Sequence, residues 1–163
     1  MVDFRPFNGV RYDESAGSLA DLICPPYDVS STEQQRALLT GNSNNMVRLE
    51  LSELTGPPPA DRYSSAGRSY QRMREEGLLR QDEPRSFYLL RQRFMAGGES
   101  YERLGLVGAL HLEELGGAIL PHEDTASGPK EDRLALMEAS SANFSPIMML
   151  YRDPSGAVAS VLT

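Results

Sequence analysis

Hydrophobic and polar positions alternate between helical and extended spacing along the chain. Phe4 to Tyr12 reads as an extended opening segment, with Pro6 near its start and Gly9 inside it. The short apolar run Leu19–Cys24 is stopped by Pro25-Pro26-Tyr27-Asp28, where two prolines fix φ and remove two donors. Ser30 with Glu33 three residues on predicts a capping box, followed by an apolar patch at Ala37, Leu38 and Leu39 and a stop at Gly41. Met46 to Leu51 alternates apolar and charged residues, which predicts a half-buried strand.

Thr55-Gly56-Pro57-Pro58-Pro59 is the strongest breaker, and the loop 55–59 is a candidate sub-boundary. A long helix is predicted from about Ala60 to Glu76, with Tyr63, Ala66, Tyr70 and Met73 on its inward face. A hairpin is predicted over about 86–113, turning at Ala96-Gly97-Gly98-Glu99. Tyr88, Leu90 and Phe94 share one parity of the first strand, and Leu104, Leu106, Leu110 and Leu112 one face of the return. Gly105 and Gly108 leave gaps there for a close approach. A third helix is predicted from Pro129 to about Ser141, with Leu134, Met137 and Ser141 on one face and Leu136 and Ala139 adjacent. Ser145–Tyr151 then reads as a buried strand, Asp153–Gly156 as a turn, and Ala157–Thr163 as the beginning of a further apolar element. The expected fold is α+β: a mixed or antiparallel sheet with a central hairpin and roughly three helices packed against it.

Composition narrows the function classes. The chain has 163 residues, suited to one α+β region, with 40% apolar and 24% charged residues. A net charge of −7 argues against nucleic acid as a partner, because such proteins present a basic face to phosphates. No apolar run is long enough for a membrane span, and the start lacks a signal-peptide core. Cytoplasmic localisation is the expectation. Cys24 is the only cysteine, so neither an intrachain disulfide nor a Cys-based zinc site is available. Its place before two prolines suggests a small buried thiol.

Lys130 is the only lysine among 16 basic residues, and it stands close to the densest polar chemistry of the chain. Pro121-His122-Glu123-Asp124-Thr125 follows a strand-like run and shortly precedes the third helix. Glu123 or His122 can serve as a general base, and Thr125 offers a hydroxyl. Lys130 and Arg133 add two cations beside the free N–H groups of a helix start, a suitable place for an anion. Cations there oppose the helix dipole, so either an anion sits between them or Asp124, Glu131 and Asp132 neutralise them. Three consecutive residues, His122, Glu123 and Asp124, point in different directions, so no metal site is assigned. His111, in the hairpin's return strand, reads as a packed or surface residue.

The chain resembles the amino-terminal part of the bacterial "domain of unknown function 1015" family. The resemblance rests on 5–12 (Arg-Pro-Phe-Asn-Gly-Val-Arg-Tyr), 23–29 (Ile-Cys-Pro-Pro-Tyr-Asp-Val) and 45–51 (Asn-Met-Val-Arg-Leu-Glu-Leu). It continues in 121–125 (Pro-His-Glu-Asp-Thr), 129–134 (Pro-Lys-Glu-Asp-Arg-Leu) and 142–147 (Ala-Asn-Phe-Ser-Pro-Ile). Family members are longer, so the resemblance implies an amino-terminal fragment.

That family is described as similar to ParB/sulfiredoxin-like proteins, which include nucleotide-dependent kinases of free serine. The resemblance implies a phosphotransferase in which Glu123 matches the base of a Pro-His-Glu turn and His122 its neighbour. Thr125, Lys130 and Arg133 become candidates for substrate or phosphate binding. It further implies ADP or ATP with Mg as cofactors and a small hydroxyl compound as partner. The kinases' later phosphate loop has no counterpart before Thr163. A non-catalytic anion- or nucleotide-binding module and a ParB-like interaction protein are the alternatives.

Overall fold

The computed structural model describes residues 2–50, 62–121 and 127–162. Its elements in chain order are β1 (Phe4–Arg5), β2 (Val10–Tyr12), a 3-10 turn (Glu14–Ala16), α1 (Leu19–Leu22), α2 (Thr32–Gly41) and α3 (Val47–Glu50). Then follow α4 (Arg62–Glu75), β3 (Leu79–Gln81), β4 (Tyr88–Ala96), β5 (Glu99–Val107), β6 (Ala109–Leu110), α5 (Ser127–Ser140) and α6 (Ala159–Leu162). The expected α+β class is borne out. Among the described residues the strands form two-stranded pairs, β1–β6, β2–β3 and β4–β5. No helix among them is long and apolar enough to cross a membrane.

The chain divides into two compact units. One comprises residues 1–9, 81–123 and 147–163, the other 10–80 and 124–146. The first holds the hairpin. Gly97 and Gly98 turn it with φ of 59° and 85°, values that only a residue without a Cβ adopts readily, and Tyr88 through Ala96 pair in register with Val107 through Glu99. β5 stops at Val107, the Phe4 ring fills the space a Cβ would take at Gly108, and a new ladder begins as β6 on β1. The predicted close approach at Gly108 is therefore real. Leu112 is exposed rather than part of a continuing face. Phe4 stacks on Phe87, and Tyr88 donates its hydroxyl proton to Asp82 while accepting from the Gly9 N–H.

The expected buried strand at 145–151 does not form. Ile147 through Tyr151 is irregular, and all five side chains are exposed. An extended segment is a strand only where a neighbour completes its ladder, and among the described residues none does.

The second unit is mainly helical. Its core joins Leu49, Tyr70, Met73 and Leu79, with Val10, Tyr12, Met46 and Phe144 packed around them. The predicted stripe of α4 holds at Ala66, Tyr70 and Met73, which are buried, while Tyr63 is half-buried. Gly67 also faces inward, and a Cβ there would strike the carbonyl of Ala139 on α5. Burial on α5 runs through Leu136 and Ser140, whereas Leu134 and Met137 are exposed, so its inward face is rotated from the predicted one. The Ser140 hydroxyl donates to the Leu136 carbonyl, which makes a serine acceptable on that face.

Two local readings change register or type. The capping box uses Ser31 and Gln34, not Ser30 and Glu33. Ser31 Oγ accepts from the Gln34 N–H and Gln34 Oε1 from the Ser31 N–H, while Ser30 accepts from the Gln35 side chain. The predicted strand at 46–51 is the helix α3 from Val47 to Glu50, with Leu51 outside the described residues. Asn45 decides this. Its buried amide donates to the carbonyls of Asp21 and Ile23 at 2.9 Å, and its Oδ1 accepts from the Val47 N–H. The Met46 N–H is taken by the Leu22 carbonyl. These bonds satisfy the first N–H groups of α3 and tie it to α1, so alternation of apolar residues yields to capping. The Pro-rich loop 55–59 lies outside the described residues.

Candidate functional site

Residues from several helices and turns of the second unit converge on Arg133. α5 begins at Ser127, two residues earlier than predicted, so Arg133 sits in its second turn. The dipole argument for a cation in the first turn therefore does not reach it. Its guanidinium donates from Nε at 2.9 Å and from Nη2 at 2.5 Å to Asp132 Oδ2, from Nη1 to Glu50 Oε2, and from Nη2 to the Glu50 carbonyl at 3.2 Å. The Tyr27 ring, placed by the turn after Pro25-Pro26, lies 4.3 Å below the guanidinium carbon. Stacking and a fork of donors are what arginine offers and lysine does not.

The network extends on both sides. Arg62, at the start of α4, pairs with Asp132 Oδ1, and the Tyr63 hydroxyl donates to the same oxygen at 2.9 Å. The Ser145 hydroxyl lies against both Glu50 oxygens, at 3.2 and 3.3 Å. The side chains of Glu50 and Arg133 are only 10% and 19% exposed, so their charges interact in a medium well below the polarity of water. Burial works against the charged form of Arg133. The hydrogen bonds and charges of Asp132 and Glu50 outweigh it and hold the guanidinium above its ordinary value. Burial likewise raises the Asp132 carboxyl, but bonds from Arg133 and Tyr63 and the charges of Arg133 and Arg62 leave it lowered.

Among the described residues, two cations and two carboxylates balance in this cluster. Four of the five guanidinium donors of Arg133 are engaged. The arrangement locks the polar side of α5 to α3, and it favours the neutralised reading of Arg133 over direct anion capture. Asp132 is one of the neutralising acids the sequence predicts; Glu50 is not, because the alternation at 46–51 predicts a strand there.

Of the other predicted site residues, His122, Glu123 and Thr125 lie outside the described residues. Lys130 is exposed in the first turn of α5. His111 is exposed, its N–H donating to the Asp3 carbonyl. Cys24 is half-buried rather than buried, and burial together with the Glu50 charge pushes its thiol up to about 11. Among the described residues no cluster of His, Cys, Asp and Glu could hold a metal ion.

The sequence does not mark Tyr27, Glu50, Arg62 or Ser145 as site residues, and it offers Tyr63 only as part of a packing face. A signal was present: Tyr27, Glu50, Asp132 with Arg133, and Ser145 each fall in a different one of the stretches that carry the family resemblance.

Residues 4–163 match the model of the family described as Protein of unknown function (DUF1015), and the chain belongs to that family. No curated protein and no solved structure matches it.

Proposed function

We propose that the protein is a phosphotransferase of the ParB/sulfiredoxin-like kind, moving a phosphoryl group from ADP or ATP to a small hydroxyl compound such as free serine. The observation that carries this reading is the Glu50–Arg133 lock. It fixes α5 through a charged, stacked and hydrogen-bonded anchor shortly after the Pro-His-Glu turn. Phosphoryl transfer depends mostly on positioning and charge stabilisation, so a firmly held α5, which carries Lys130, suits that chemistry.

In this reading Glu123 accepts the proton of the substrate hydroxyl as its oxygen bonds to phosphorus and the nucleotide's bridging P–O bond breaks. His122 is the neighbour of Glu123 in the sequence. Lys130, exposed in the first turn of α5, and Thr125 are assigned to binding the transferred phosphoryl group. Arg133, whose donors are largely used by Glu50 and Asp132, is a positioning residue. No described residue is assigned to Mg2+, since none of them forms a ligand cluster for it.

The test is incubation of the intact protein with free serine and each nucleotide, with O-phosphoserine read by mass spectrometry. Formation of phosphoserine with one nucleotide is expected. Nucleotide binding without transfer to serine or another small alcohol would replace this reading by the binding-module alternative.

A further inference from the structure

The β4–β5 hairpin carries apolar side chains that the described residues leave largely exposed. Leu89, Leu90, Phe94, Met95 and Tyr101 are 45–68% exposed. An isolated two-stranded ribbon is marginal in water, and its free edges are templates for further pairing. Among the described residues no third strand joins either edge.

We propose that the free edge of β5 pairs antiparallel with the same edge of a second copy of this chain, with Tyr101 on the twofold axis. The two-residue turn at Gly97-Gly98 makes Ala96 and Glu99 the closing hydrogen-bonded pair. Alternation along the ladder then directs the N–H and C=O groups of Ser100, Glu102 and Leu104 away from β4, towards a new strand. A twofold axis normal to the ribbon preserves its faces, so opposed residues share parity. With the axis at Tyr101, Ser100 exchanges backbone bonds with Glu102 of the second copy, and Glu99 stands opposite its Arg103. The odd-numbered positions become the non-hydrogen-bonded pairs, where side chains come closest.

Charge selects both edge and register. An axis at Glu102 or Arg103 sets like charges against each other, and one at Ser100 or Leu104 opposes no pair of opposite charges. The β4 edge is worse, because an axis at Gln92 places Arg91 opposite Arg93. Within one chain the Arg103 guanidinium donates only to the neutral Gln92 amide oxygen, and Glu99 accepts from the Tyr101 hydroxyl. Among the described residues neither has a partner of opposite charge, and the Tyr101-centred register supplies one to each, twice.

The test is the mass of the intact protein in solution, by sedimentation or light scattering, for the wild type, Glu99→Arg, Arg103→Glu and the double exchange. The wild type is expected to be a dimer, each single change a monomer, and the double exchange a dimer again. Tyr101→Cys should give a disulfide-linked dimer on mild oxidation, since its two Cα atoms would lie within bridging distance. A monomeric wild type would overturn the proposal. So would a dimer that survives both single changes, as one held by the exposed Ile147–Tyr151 strip would, or a double exchange that stays monomeric.

Discussion

Replacing Arg133 with methionine tests whether the Glu50–Arg133 pair anchors α5. Methionine keeps an unbranched stem and removes the charged head, and with it the stacking of the guanidinium on Tyr27. Glu50, 10% exposed, would then retain the Ser145 hydroxyl but lose its ion-pair partner. Stranding one member of a fully buried pair costs ~3–5 kcal/mol, whereas an exposed pair contributes ~0–1 kcal/mol. Arg133 at 19% exposure lies nearer the first limit, and we expect a loss of about 2–3 kcal/mol. Glu50→Gln still offers Arg133 an acceptor and should cost about 1–2 kcal/mol. The double variant should be less destabilised than the sum, with a coupling of about 1–2 kcal/mol. Urea unfolding followed by far-UV circular dichroism and by tyrosine emission measures all four corners; the chain has seven tyrosines and no tryptophan to mask them. A loss below about 0.5 kcal/mol for Arg133→Met, or strict additivity, would refute the anchor.

The remaining predictions concern titration and packing. Asp132 titrates lower in the folded chain than its ordinary value of 3.8, so its stabilisation is complete above that value and is lost as pH falls through the lower folded one. Acid titration of unfolding free energy should therefore show a steeper loss below about pH 4 in the wild type than in Asp132→Asn. The Cys24 thiol, at about 11 instead of 9.0, should react with a disulfide reagent about a hundredfold more slowly than in urea, and stability should fall between these two values as the unfolded thiol ionises first. Equal rates in the two states would contradict the burial of Cys24 beside Glu50. Gly67→Ala should cost about 1–3 kcal/mol by forcing α4 away from the Ala139 carbonyl, while Gly128→Ala, with open space at its Cβ, should be neutral or stabilising in the same unfolding assay.

Several elements were legible because one physical signal dominated each. Two glycines bracketed by apolar alternation specify the hairpin, and the Tyr63–Met73 stripe specifies α4. Elsewhere a buried polar group overrode the apolar pattern. Asn45 turns an alternating segment into α3 by satisfying backbone groups of α1 and α3 together. Ser140 and Arg133 occupy the inward side of α5, so a search for hydrophobic faces picks Leu134 and Met137 instead. The anchor itself joins Glu50 to partners 83 and 95 residues away, a separation that no local pattern encodes.

The central claim is that Glu123 acts as the base of a serine phosphotransferase, and the most direct measurement is the turnover of serine phosphorylation in Glu123→Gln against Glu50→Gln. Glu123→Gln should abolish turnover while leaving urea stability and nucleotide affinity unchanged. Glu50→Gln should lose stability and keep the wild-type pH dependence of its residual rate. Undiminished phosphoserine formation by Glu123→Gln would contradict the account.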